Sequence, residues 1–557
     1  MHARFWFEQE DMSKNALQHK FPELDETRRI TLIIQDSESL LLAGKYDQYL
    51  KLVDETSPEL LVRSPIILVY QATAMLFSEH PRQAILDVLT KAEQLAPSDA
   101  LDGEISAIRA IIQSYTCNPE KGIKLSQKAL SKIDPQQHFF RNLVERNLGV
   151  AYTLKNDLRN ANTWFENLLM SSYKLEDWGG VLASYNYLTF IRKVQGRLKD
   201  AAVIYKKALG FIEEKGLELM PHSIKIISGY GHLLLQWHRL DDAKAYFKRA
   251  IQLAKMTDIL YAYTAYQNLS EAFVQENDIR SALAAIQELR HLAQGKQDFY
   301  HHIHTQRTLA VEAHIHLEAG RGERAYAWLL SSSFDRLSAN ELLSRFGLEL
   351  GYIVPIAVRI YIDKGQHDRA IQTLEAIIPK FIHQGAHAFL ISALNALAVA
   401  YHQIGRSDKA IKALTKAIVL AEPEDDLGDF LILGGHLIPL LNDAMSGGIA
   451  PDFIRQLLSI LAKFKSSQKS PAHDLNNIDP LSRREMDVLG LIAEGMTNQE
   501  IAKKLFLSTN TIKSHSIKIY RKLNVNNRNQ AVSKARLLGI LPGRPPGAYG
   551  GFAHMQP

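Results

Sequence analysis

Residues 397–417, LAVAYHQIGRSDKAIKALTKA, decide the fold. Leu397 and Tyr401 lie four apart on one helical face, and Gly405 breaks the run. Ala410 follows the glycine by five positions, and Leu414 and Ala417 then mark the apolar face of a second helix. Glycine supplies the turn, alanine lets two helix axes approach, and the large side chain fills the gap between them.

The same order recurs in Ala357, Tyr361, Gly365, Ala370, Leu374 and Ile377. It also appears in Leu188, Gly196, Ala201, Tyr205 and Ala208, and in Leu148, Gly149, Tyr152, Asn156, Ala161 and Phe165. Two further copies read Tyr230, Gly231, Leu234, Ala243, Phe247, Ala250 and Leu269, Phe273, Asn277, Ala282, Ile286. Turns at 156, 196, 238, 277, 320, 365 and 405 are 39 to 45 residues apart, and weaker copies stand around Gly44, Ala84 and Ala129. A single hairpin leaves one apolar face bare, so such units stack into a superhelix. No long alternating strand pattern competes, and the expected fold class is all-α. The pattern resembles tetratricopeptide repeats drawn out beyond their usual period. A HEAT-like array is the alternative, disfavoured by the Gly-x-x-x-x-Ala spacing. Residues 46–100, with LVRSP at 61–65, resemble the segment that follows the nucleotide-binding domain of large MalT-like regulators.

Downstream, residues 481–539 change character. Ser482 with Glu485 and Thr497 with Glu500 form capping boxes, Leu481/Met486 and Met496/Ile501 staple them, Ser508 caps a third run, and Asn527 with Gln530 opens a fourth that Gly539 can end. Between 479 and 541 there are eleven Lys or Arg against five Asp or Glu, net +6, whereas the whole chain is only +5. That concentration of charge is the footprint of a polyanion binder. With Ile512, Ile519 and Leu523 turned inward, Asn510, Ser514, Ile517 and Arg521 point outward, flanked by Lys513 and Lys518. Two short helices, the second polar outside, make a helix-turn-helix expected to enter the major groove of double-stranded DNA.

These residues carry a family resemblance. Leu481, Ser482, Arg484, Glu485, Val488, Leu489, then Glu494, Gly495, Asn498, Glu500, Ile501, Ala502, then Thr511, Ile512, Lys513, His515, Tyr520, Lys522 and Leu523 resemble the DNA-binding domain of LuxR-type transcriptional regulators. The resemblance implies base reading by Lys513, Ser514 and Ile517, and phosphate contacts at or beside Thr509, Lys518 and Arg521. It also implies promoter DNA and RNA polymerase as partners, and a homodimer on DNA formed through the fourth helix, with its stripe of Ala531, Val532, Ala535 and Leu538. Ser516 departs from the family where an apolar residue is common, and Lys518 departs where asparagine is common. His515 reads as a hydrogen-bonded core histidine.

The expected organisation is a repeat domain over 1–465, a Ser/Pro/Asn-rich linker at 466–480, the helix-turn-helix domain at 481–541 and a Gly/Pro-rich tail at 542–557. Polar residues that such arrays turn into their groove are Asn186, Lys193, His232, Gln236, Gln267, Glu271, Gln275, Arg359 and Asn395, with Tyr185, Phe190 and Tyr266 nearby. A groove of this kind suits a peptide, a sugar-like molecule or a protein partner. One cysteine, Cys117, excludes a disulfide framework and fits a reducing cytoplasm. No apolar run reaches membrane-spanning length, and the start, MHARFWFEQED, is no signal peptide. No nucleophile elbow, metal-ligand spacing or cofactor motif points to an enzyme. The histidines at 301, 302, 304, 314 and 316 match no compact ligand set. MalT-like regulators carry an ATPase ahead of their repeats, but G-x-x-x-x-G-K-[ST] is absent here; the only Gly-Lys pairs are Gly44-Lys45 and Gly295-Lys296. Either the protein works without an ATPase, the reading preferred here, or the chain is the downstream piece of a longer or split regulator. The leading expectation is a transcriptional regulator whose repeats sense an effector; the alternative is a repeat scaffold with secondary DNA binding.

Overall fold

All seven turn positions read from the sequence adopt left-handed backbone. φ is 57° at Asn156, 70° at Gly196, 54° at His238, 61° at Asn277, 68° at Gly320, 69° at Gly365 and 75° at Gly405. Glycine takes this conformation freely and asparagine tolerates it. At two of the turns the residue one place on caps the next helix: Asp157 accepts from Asn160 N–H at 3.2 Å and Asp278 from Ser281 N–H at 3.0 Å. The alanine five positions after each turn (Ala161, Ala201, Ala243, Ala282, Ala325, Ala370 and Ala410) is fully buried.

The structure is a computed structural model that describes residues 26–42, 45–78, 80–96, 101–115, 118–292, 301–332, 334–338, 340–342, 350–467, 483–505, 507–522, 525 and 527–537. No strand occurs among them. Cys117, Leu481, Ser482, Leu523, Leu538, Gly539, the expected linker from 468 on and the expected tail lie outside the described residues. The chain divides into two compact units, Met1–Phe464 and Lys465–Pro557.

In the first unit three leading helices, α1 (Glu26–Leu42), α2 (Tyr46–Asp54) and α3 (Pro58–Arg63), precede the hairpins. These are α4 (Ile66–Phe77) with α5 (Arg82–Leu95), α6 (Asp102–Tyr115) with α7 (Pro119–Lys132), and α8 (His138–Leu154) with α9 (Leu158–Lys174). Next come α10 (Trp178–Val194) with α11 (Leu198–Lys215), α12 (Pro221–Gln236) with α13 (Leu240–Met256), and α14 (Tyr263–Gln275) with α15 (Ile279–Leu292). The last are α16 (His301–Glu318) with α17 (Gly322–Ser331), α18 (Leu350–Asp363) with α19 (His367–Gln384), and α20 (His387–Gln403) with α21 (Ser407–Ala421). Even-numbered helices pack on one another from hairpin to hairpin and form the inner layer. Their burial agrees: every residue from Phe389 to Tyr401 in α20 is buried, whereas α21 buries one stripe, Ala410, Ala413, Leu414, Ala417, Ile418 and Ala421.

Aromatic rings of outer helices lock against glycines of inner ones. A Cβ on Gly149 would lie 2.6 Å from Phe165, and one on Gly231 would lie 2.7 Å from Phe247. Both rings are fully buried, each contributing about 1.5–3 kcal/mol of transfer free energy. The array then curls until distant hairpins meet. Asn156 Nδ2 donates to Gln384 Oε1 at 2.6 Å, Trp237 Nε1 donates to Glu424 O at 3.0 Å, and Lys199 Nζ lies 2.8 Å from Asp425. The segment 422–437, with the short helix α22 (Gly428–Leu431), buries Leu427, Phe430, Leu433 and Leu437, and α23 (Ile438–Ser446) and α24 (Pro451–Ser467) complete the unit.

The second unit contains α25 (Arg483–Ala493), α26 (Asn498–Leu505), α27 (Thr509–Lys522) and α28 (Arg528–Leu537). Val488, Leu489, Ile492, Ile501, Ile512, Ile519, Ala531 and Ala535 form its core.

Candidate nucleic-acid interface

Three caps define where the helices of the second unit begin. Thr497 N–H donates to Glu500 Oε2 at 2.6 Å while Glu500 N–H donates to Thr497 Oγ1 at 3.3 Å, a reciprocal capping box. Ser508 Oγ accepts from Thr511 N–H at 3.0 Å, and Asn527 Oδ1 accepts from Gln530 N–H at 2.9 Å. The link from α26 to α27 therefore occupies only 506–508, the short turn of a helix-turn-helix.

Three cationic side chains fasten the frame. Lys522 Nζ at the end of α27 sits 2.8 Å from Glu485 Oε2 in α25, with the carboxylate side chain 5% exposed. Arg528 Nη2 donates to the carbonyls of Ile492 and Met496 at 3.0 and 2.5 Å. Arg484 Nη2 donates to Leu505 O at 2.9 Å, tying α25 to the end of α26.

With the frame fixed, α27 presents one buried and one open face. Ile512, Ser516 and Ile519 are buried. Asn510, Lys513, Ser514, Ile517, Lys518 and Arg521 are exposed, and Thr509 is partly so. Ile517, an isoleucine 66% exposed among polar neighbours, has no folding reason to be there. Ser516 takes the inward place where an apolar residue was expected, and its Oγ finds no hydrogen-bond partner among the described residues. His515 is partly buried, and its Nδ1 likewise lacks the expected hydrogen bond among the described residues. Lys503 and Lys504, exposed in the last turn of α26, add positive charge just ahead of α27; attention to the third helix alone passes over them.

The residues expected to line the repeat groove are largely engaged within the chain. Gln236 Nε2 donates to Asp429 Oδ1 at 3.1 Å, and Asn395 Nδ2 to Asp429 O at 3.1 Å. Arg359 pairs with Glu318 and donates to Ile432 O. Gln267 Nε2 donates to Thr308 Oγ1 at 2.9 Å, Gln275 Oε1 meets His238 Nδ1 at 3.2 Å, and Glu271 meets His314 at 3.0 Å. Lys193 Nζ lies 3.3 Å from His232 Nδ1; burial and Arg307 bring the Lys193 pKa down to about 7. Asn186 remains partly exposed. Thus 422–437 fills the groove opposite α12, α18 and α20. Burial opposes charge on His314, but Glu271 and Glu318 outweigh it and raise its pKa to about 9. The side chains of His301, His302 and His304 lie outside the described residues. No group of His, Cys, Asp or Glu among the described residues is arranged to hold a metal ion. No described helix is long and apolar enough to cross a membrane.

The architecture is that of a helical-repeat protein carrying a helix-turn-helix module. The chain belongs to the family of MalT-like TPR regions, which matches residues 103–446, and residues 479–535 match the bacterial regulatory proteins of the luxR family. It is 24% identical over 571 residues to the HTH-type transcriptional regulator MalT of Vibrio cholerae serotype O1, covering 97% of this chain and 61% of the relative. It is 24% identical over 509 residues to the protein of the same name from Yersinia pestis, covering 86% of this chain and 55% of the relative. The chain thus spans little more than half the length of these relatives. Its repeat fold also resembles a Rap protein crystallised with competence and sporulation factor, with TM-score 0.50, 13% identity, and coverage of 64% of this chain and 99% of that one.

Proposed function

We propose that the chain is a DNA-binding transcriptional regulator whose helix α27 enters the major groove of promoter DNA. One observation carries this: the exposed row Asn510, Lys513, Ser514, Ile517, Lys518 and Arg521 stands opposite a buried face that fixes the helix on its domain. Lys513 and Ser514 reach base edges, Ile517 reads a thymine methyl, and Thr509, Lys518 and Arg521 hold phosphates. Two copies on DNA, about 34 Å apart, place two such helices in successive turns of the groove. The repeats sense a small molecule, a peptide or a protein partner and shift the balance between a masked and a DNA-competent state. RNA polymerase is the partner at the promoter, and the cytoplasm is where such a regulator meets it.

The test is the salt dependence of binding to a promoter fragment recovered with the full chain. Neutralising several phosphates gives a log–log slope of roughly −0.9 per contact, and Lys518→Gln lowers its magnitude by about one. A salt-independent affinity rejects the reading.

A further inference from the structure

Since 422–437 fills the groove opposite α12, α18 and α20, the inner layer keeps open space elsewhere. A cavity of about 170 Å³ lies between the leading helices and the inner helices α4, α8, α10 and α12. None of the nine polar residues expected in the groove lines it.

Two cations stand in its wall, each held on an aromatic ring. Arg146 Cζ lies 4.7 Å from the centroid of Phe77, and Lys225 Nζ lies 5.7 Å from that of Tyr261. Arg146 has no carboxylate within ion-pair distance among the described residues. The one acid lining the space, Asp177, is occupied with folding: it accepts from Gly180 N–H at 2.9 Å and from Asn142 Nδ2 at 3.0 Å, capping α10. His222 also faces the cavity, and its buried Nδ1 has no hydrogen-bond partner among the described residues. Burial, together with the Lys225 and Arg146 charges, pushes the His222 pKa well below its ordinary value, so the imidazole is neutral in a positive field. Arg146 and Lys225 thus put two cations beside a single carboxylate in the wall, and that carboxylate is held by the α10 cap.

Leu42, Leu143, Leu182 and Met220 supply apolar wall, and the tyrosines Tyr46, Tyr115 and Tyr187 line it with them. A dry cavity of about 150 Å³ accepts a benzene-sized guest, so this one accommodates a single ring or a short branched chain. A partly buried cation gains from a charged acceptor, and guanidinium suits a planar carboxylate or a phosphate oxygen pair.

We infer that this cavity binds a small organic anion, its carboxylate or phosphate between Arg146, Lys225 and His222 Nδ1 and its apolar ring or chain against the leucines. The same chemistry is offered by a free acid or by the carboxyl end of a peptide with an aromatic last residue. The inference rests on the repeats being the sensing part of the protein. Binding is read without DNA, so its failure leaves the DNA-binding reading intact.

The experiment is calorimetric titration of the full chain with phenylacetate, phenyl phosphate, neutral phenylacetamide, and acetyl-Gly-Gly-Phe as acid and as amide. At least one acid is expected to saturate with Kd below about 1 mM, and its neutral counterpart to bind at least about tenfold more weakly. Saturation by phenylacetate or phenyl phosphate identifies a free acid, and saturation by the tripeptide acid alone identifies a peptide terminus. Arg146→Gln and Lys225→Gln each weaken the acid about tenfold or more at unchanged thermal midpoint, while Lys248→Gln on the outer helix α13 binds as the parent does. Should Arg146→Gln misfold, Arg146→Lys keeps the charge and retains acid-over-amide preference. Equal affinity for acid and amide overturns the inference. So do the absence of saturation by every acid up to about 10 mM and parent-like binding by both folded glutamine variants.

Discussion

Gln236 Nε2 donates to Asp429 Oδ1 at 3.1 Å, joining residues 193 positions apart and closing the repeat array upon itself. Asp429 does not stand alone there. Its neighbour Asp426 is buried with it, burial raises both carboxyl pKa values, and Asp429 reaches about 6. A carboxyl whose folded pKa exceeds its unfolded value binds more protons when folded. Its contribution to stability is therefore present at low pH and lost as pH rises from about 4 through 6 and beyond. Asp426→Asn removes one ionisable group from the buried pair and leaves an amide to donate to Asp429. Its thermal midpoint at pH 7.5 is expected above the parent's, and the difference is expected to shrink towards pH 4. A lower midpoint at pH 7.5 contradicts a stability cost of burying the two carboxyls together.

Lys193 titrates in the opposite sense. Its folded pKa, brought down to about 7 by burial and Arg307, lies below the unfolded value of 10.5. The unfolded chain then binds more protons between pH 7 and 10.5, and stability rises with pH across that window. Lys193→Met is expected to raise the thermal midpoint at pH 7 and to flatten the rise between pH 7 and 9. An unchanged slope in the variant assigns the pH dependence to other groups.

Gly231 and Phe247 test the packing of the hairpins. A methyl on Gly231 meets the Phe247 ring at 2.7 Å, so Gly231→Ala overpacks a fully buried contact and costs about 1–3 kcal/mol. Gly231→Ala combined with Phe247→Leu recovers part of that loss, as contacting residues couple. Denaturant midpoints of the two single variants and the double variant decide the point; strict additivity rejects the direct contact.

In the second unit the Glu485–Lys522 pair ties the end of α27 to α25. Removing one partner of a buried pair strands the other charge and costs about 3–5 kcal/mol. Glu485→Ala is expected to accelerate amide hydrogen exchange across 483–537 while exchange in 138–256 is unchanged. Unchanged exchange in 483–537 shows the pair to be dispensable.

Much of this was legible in the sequence because it is local. A turn residue and the alanine five places on sit within one hairpin, so spacing alone located seven left-handed positions and the alanines after them. The outward row of α27 followed from Ile512 and Ile519 in the same way. The closure of the array was not legible. Trp237 meets Glu424 and Asn156 meets Gln384 across 187 and 228 positions, distances no helical period encodes. For the same reason Gln236, Arg359 and Asn395 read as open groove residues but hold 422–437. The cavity at Arg146 escaped because its wall draws single residues from positions 41 to 261, with no motif joining them.

Helix α27 is proposed to read promoter DNA. The most direct test maps genomic fragments bound by the full chain and compares the parent with Lys513→Glu on the strongest fragment. Discrete bound promoters are expected, with a loss of at least about tenfold in affinity for the charge-reversed variant at unchanged helical content. Parent-like binding by Lys513→Glu, or the absence of any fragment preferred over bulk DNA, contradicts that reading.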